Sequence, residues 1–280
     1  MATQEEIEYP YLLKLYVGVV GSMAGMTIDS ENEWLLACER ISIKLFHHLA
    51  TLYYLSEGTT LSNLETIRRM SFVDPASLAA VARAALQTYL TFYYNFIDPE
   101  TPGERIFRNK IWELSGLVER QGFLEENPKA TNQFKVERKR TKTLQAEIEQ
   151  DPLFQVLGAG EQEKLTADKW RRIHDWSNLA QLAGFDGEYF NDIYKYLSSY
   201  AYSSESYGTF TESTMGEVIK KELIRVCLHV GLILMGHFIQ AYSTIVPRAK
   251  RILIQNPFEA EIAASWGQVG RQTIEPESAG

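Results

Sequence analysis

The chain has 280 residues, 45% of them apolar and 23% charged. That balance excludes wholesale disorder, a collagen-like repeat and a disulfide-stapled miniprotein. Twenty-eight Lys and Arg against 36 Asp and Glu give a net charge of −8, so nucleic acid could be held only by a local basic patch, against the field of the whole molecule.

The two cysteines, Cys38 and Cys227, sit far apart in apolar surroundings and read as buried thiols. Glu5, Glu6 and Glu8 stand where a signal peptide would carry Lys or Arg, which makes the cytoplasm the expected compartment. No segment repeats at the 20–50-residue periods of solenoids. Apolar residues recur at three and four almost throughout, without sustained alternation at hairpin spacing.

The first predicted helix covers residues 11–28, YLLKLYVGVVGSMAGMTI, with Lys14 its only charge. Gly21-x-x-x-Gly25 has the spacing that lets helices approach closely. A second opens at Asp29-Ser30, good N-cap types, and runs through Leu35, Cys38, Ile41, Leu45 and Leu49 to about Leu55, where Gly58 stops it. The third is the clearest: Asp74 caps, Pro75 takes the first position, and Leu78, Val81, Ala82, Ala85, Leu86, Tyr89, Phe92 and Phe96 form a broad apolar face. A fourth follows Pro102, carrying Ile111, Trp112, Leu114 and Leu117.

Residues 130–150 are mostly charged and read as a helical arm packed on a thin stripe. Residues 151–187 read as irregular or short helices. A tyrosine-rich helix covers about 187–203, and a long, increasingly apolar one about 212–246, ended by Pro247. The expectation is one all-α domain over residues 1–270: a single bundle of six or seven major helices, the 77–97, 187–203 and 212–246 helices central. Residues 271–280 are expected to form a flexible tail. Residues 11–28 and 223–246 are long enough to touch a membrane. Arg225, His229 and His237 in the second, with a mean hydropathy of −0.22 for the chain, make buried core helices the preferred reading.

Chemistry-bearing signals are sparse. The run KVERKRTK holds Lys135, Arg138, Lys139, Arg140 and Lys142 against Glu137; it could meet a phosphate backbone, but no interleaved aromatics offer base stacking. Five histidines show no His-Glu-x-x-His or Glu-x-x-His spacing, so no metal is expected. Arg40 and His47 match the Arg-x4–6-His spacing of HEPN-type ribonucleases, which places both on one helix face. No phosphate-binding glycine loop and no nucleophile elbow is present, and no cofactor is expected.

Polar residues set in apolar helices remain: Arg83 among alanines with Gln87 one turn on, Arg108 early in the next helix, and Tyr194, Ser198 and Tyr202 on one stripe. They mark a candidate polar pocket for a ligand or protein partner. The stretch LAAVARAALQTYLTFYYNFIDPETPGERIFRNKIWEL, with YKYLSSYAYSS, resembles an uncharacterised bacterial all-helical family, loosely HEPN-like, known only as a domain of unknown function. That family shows Arg-x-x-x-Glu, an Arg/Tyr-rich next helix and Tyr-x-x-x-Ser-x-x-x-His. Arg83, Arg108, Tyr194 and Ser198 fit it; Gln87 stands where it has Glu and Tyr202 where it has His. The missing ionisable groups are the natural acid and base, so the resemblance implies a fold more than an activity. The expected function is that of a helical bundle acting by binding through the polar pocket, as an accessory or defence-type component. A second copy of the chain is among the partners this reading allows. Nucleic acid, through a HEPN-type activity, and a membrane are the less favoured alternatives.

Overall fold

A computed structural model describes residues 2–64, 67–124, 131–166, 174–201 and 214–272. The protein is all-α, with one small hairpin. Among the described residues there are twelve α-helices, more than the six or seven major ones expected, because several are short.

α1 (Gln4–Gly21) starts before Pro10, not after it. A capping box between Thr3 and Glu6 nucleates it. The bond that Pro10 cannot donate is outweighed by burial of Tyr9, Leu12, Leu15, Tyr16 and Val19. The helix stops at Gly21, and Gly25 turns the chain at a φ of +69°, so residues 11–28 are not one helix. Nothing lies within 4 Å of a Cβ built on Gly21 or Gly25; their spacing makes no close helix contact. A 3-10 turn capped by Asp29 (Ser30–Asn32) leads into α2 (Trp34–Ser56). Tyr9 Oη donates to the Leu49 carbonyl at 3.1 Å and Tyr16 Oη to that of Ser42 at 2.9 Å, pinning α1 to α2.

β1 (Thr59–Leu64) and β2 (Ile67–Phe72) form the unexpected antiparallel hairpin, with Thr59 opposite Phe72 and Leu61 opposite Met70. α3 (Pro75–Phe92) follows its Asp74 cap and passes into a π turn (Tyr93–Ile97). α4 (Pro102–Leu124) and α5 (Thr131–Glu149) pair side by side, followed by the short α6 (Pro152–Gln155), α7 (Ala159–Thr166) and α8 (Trp176–Leu182). α9 (Gly187–Ala201) adds Phe190 and Leu197 to the core and packs on α3, so it shares the core from its edge.

α10 (Thr214–Ile245) is the central helix, packed on α1, α2 and α3. Its Val218–Ile245 portion, with a mean hydropathy of 1.6, is long and apolar enough to cross a membrane. Within the fold that apolar surface is covered by other helices. Close packing is built at Gly231, where a Cβ would run into the Tyr9 ring, and at Gly236, where it would meet the backbone of Ala263 and Gly267. The chain after Pro247 is helical as well. Pro247 and Pro257 each take a first helical position, starting α11 (Pro247–Gln255) and α12 (Pro257–Trp266) where the sequence suggested only a stop. The start of the supposed tail is held: Gln272 N donates to the Gly184 carbonyl at 3.1 Å. Residues 273–280 lie outside the described residues.

Candidate functional site

α3 and α9 meet through polar side chains. Arg83 Nη2 donates to Tyr194 Oη at 3.0 Å, and Gln87 Nε2 to the same oxygen at 3.1 Å. The guanidinium carbon stands 5.1 Å from the Tyr194 ring centre, within cation–π range. Phe190, one turn earlier on α9, stacks on that ring at 5.6 Å. Ser198 Oγ donates to the Tyr194 carbonyl at 2.6 Å, so it braces its own helix and does not face a ligand. Tyr202 lies outside the described residues.

Gln87 also lines a cleft of about 310 Å3. Three helices each turn one stripe towards it. Ile41, Lys44 and His48 come from α2, and Ala84, Gln87, Thr88 and Thr91 from α3. Trp112, Ser115, Gly116 and Glu119 come from α4, with Trp176 at the head of α8. On α3 and α4 the spacing is i, i+3, i+4, i+7, one face of a helix. The hydroxyls of Thr88 and Thr91 donate to the carbonyls of Ala84 and Gln87, each at 2.8 Å. Their oxygens therefore offer lone pairs. Burial, then the charge of Lys44 and the neighbouring His47, holds His48 below its usual range. At neutral pH it is an uncharged imidazole with one donor and one acceptor. A Cβ built on Gly116 meets nothing within 4 Å, which marks open space beside α4.

Arg108 serves a different place. In the π turn Asp98 N bonds to the Tyr93 carbonyl, five residues back, and side chains take carbonyls of the widened turn. Arg108 Nη1 donates to the Tyr94 carbonyl at 2.7 Å and to Asp98 Oδ2 at 2.6 Å, and Nη2 to Glu104 Oε1 at 2.5 Å. Arg105 Nε takes the Phe96 carbonyl at 3.1 Å while its guanidinium lies over Trp34. The His174 ring stands 5.2 Å from that of Tyr94, and burial, then Arg108, holds this imidazole below its usual range. Arg108 thus locks the corner between α3 and α4.

The basic run lies on α5. Arg140 grips Glu113 with two bonds of 2.9 Å, which fastens the arm to α4. Lys135, Arg138, Lys139 and Lys142 are exposed. Arg40 lines a separate cleft of about 500 Å3, in which Glu31, Glu33, Glu113 and Glu147 outnumber Arg40, Lys110 and Arg140. A polyanion would be repelled there. His47 is exposed and borders neither cleft; its neighbour His48 faces the first.

Both cysteines are fully buried, and burial pushes the Cys227 thiol up to about 12, so neither is a ready nucleophile. Among the described residues, no three His, Cys, Asp or Glu side chains converge as metal ligands.

Sequence reasoning found Arg83, Gln87 and Tyr194, which meet, but missed Lys44, His48, Trp112, Thr88, Thr91, Ser115 and Trp176. The signal was available on α3, where a small polar stripe runs beside the apolar face. No family model, curated protein or solved structure matches the chain.

Proposed function

We propose that the protein works by reversible, non-covalent binding of a small polar ligand in the cleft between α2, α3 and α4. One observation carries this reading. Gln87, in the cleft wall, spends one amide N–H on Tyr194, which fixes the orientation of a side chain that stands beside the lone pairs of Thr88 and Thr91. A wall so arranged suits a ligand rich in N–H donors, with Lys44 for a ligand acceptor and two tryptophans for its apolar part. Binding is favoured over catalysis because the threonine hydroxyls already donate to main-chain carbonyls and are not paired with a base. An accessory or defence-type role in the cytoplasm fits a protein of this kind.

The test is native mass spectrometry after incubation with a pool of small metabolites, comparing the wild type with Gly116→Leu. The added side chain enters the open space beside α4. Adducts on the wild type that disappear in Gly116→Leu support the proposal. No adduct, or the same adducts on both proteins, overturns it.

A further inference from the structure

We propose that the outer face of α11, with the adjoining Phe258 and Tyr11, docks on an anionic lipid bilayer. The chain carries a net charge of −8, yet no carboxylate lies between Glu222 and Glu259, and Arg248, Lys250 and Arg251 fall within that span. On α11, Ala249 is buried and Ile252 and Leu253 pack against the core. At 100° per residue, Lys250, Arg251 and Ile254 then share the opposite, outward face. Ile254 is 78% exposed, and Phe258, at the start of α12, is 59% exposed. Tyr11 of α1, itself exposed, meets the Phe258 ring edge-on at 5.5 Å. The nearest acid in sequence, Glu259, is held by Lys14 at 3.2 Å.

Cations and apolar side chains together select the occupant. A nucleic acid would meet the cations but leave Ile254 and Phe258 in water. A bilayer takes both, with guanidinium and ammonium groups at the headgroups and the two side chains at the acyl boundary. Glu8 and Glu261 oppose the docking, since both line the cleft that also borders Phe258. Glu8 accepts from Trp266 Nε1 at 2.6 Å and from Gln4 Nε2 at 3.1 Å and is held inward. Glu261 is exposed and limits the patch.

The experiment is co-sedimentation with vesicles of phosphatidylcholine, with and without phosphatidylserine, at two salt concentrations. The full chain is expected to pellet only with phosphatidylserine present and less at high salt. Lys250→Gln/Arg251→Gln should weaken this about thirtyfold, from the usual contribution of each cation near an anionic surface. Ile254→Ser/Phe258→Ser should weaken it by roughly tenfold or more. Glu261→Gln should strengthen it. All these positions are exposed, so unchanged melting temperatures show that the variants fold. Absence of sedimentation, equal sedimentation with both vesicles, or variants that pellet like the wild type overturn the proposal. So does the finding that these substitutions abolish binding to a DNA duplex or self-association while vesicle binding is absent.

Discussion

Between α3 and α10 the protein is filled with rings. Phe238 lies 4.4 Å from Tyr16, 4.8 Å from Phe92 and 5.2 Å from Tyr242, all four fully buried. Between α4 and α5 a thin stripe of Phe107, Ile111, Leu114, Leu144 and Ile148 forms a second, smaller core. Its rim is charged: Arg140 holds Glu113, Lys110 holds Glu147 and Arg120 holds Glu137. Buried polar groups of the first region are mostly bonded to main-chain carbonyls, while the second is closed by side chains that water also reaches. The cleft lined by α2, α3 and α4 therefore has walls from both regions. Its α3 wall belongs to the larger core, and its α4 wall belongs to the smaller one.

The largest effect is expected in the ring cluster. Phe238→Ala should cost about 3–5 kcal/mol through lost burial and the cavity left behind, seen as a large fall in melting temperature. A cost below about 1 kcal/mol would mean that the cluster is not the main core. A somewhat smaller effect comes from acid. Burial, partly opposed by its bond to the Val269 carbonyl, pushes His237 down to about 4, while an unfolded chain would titrate it near 6.5. Between those values the unfolded chain takes up a proton that the folded one refuses. Stability is therefore full above about pH 6.5 and falls as the pH drops towards 4, by roughly 3 kcal/mol in all. His48 and His174, each held low, add to this fall, and Glu5, also held low, adds to it only at the acid end, where carboxylates protonate. Denaturant titrations across this range should show a shallower fall in His237→Gln than in the wild type; identical slopes would mean that His237 does not set the acid sensitivity.

Leu144→Ala sharpens the contrast. It should cost about 2–3 kcal/mol and show as faster hydrogen exchange confined to α5, before the ring cluster opens. Exchange raised equally everywhere would make the two regions one cooperative unit. Arg140→Gln should have the smallest effect, less than about 1 kcal/mol and shrinking with salt, because its pair with Glu113 is half exposed.

The all-α class was legible because apolar residues recur at the helical period in almost every segment. The hairpin was not, since TTLSNL is mostly polar and only Leu61, Met70 and Phe72 mark its apolar face. Prolines misled twice, at Pro10 and Pro247, where capping and packing decide what a proline does. Arg83 stood out as a charge among alanines and does meet Tyr194. Arg108 looked equivalent, but the π turn that claims it depends on five-residue backbone bonding that residue types do not announce. The cleft was least legible, because its stripes lie on helices that meet only in the folded chain.

That the cleft beside α4 is open can be read from the melting temperature of Gly116→Leu. Leucine replaces a glycine inside a helix, worth up to about 1 kcal/mol of stability, and its side chain enters empty space. Melting is expected at or above the wild-type temperature. A fall equivalent to about 1–3 kcal/mol, the signature of overpacking, would mean that the space is already filled and would contradict it.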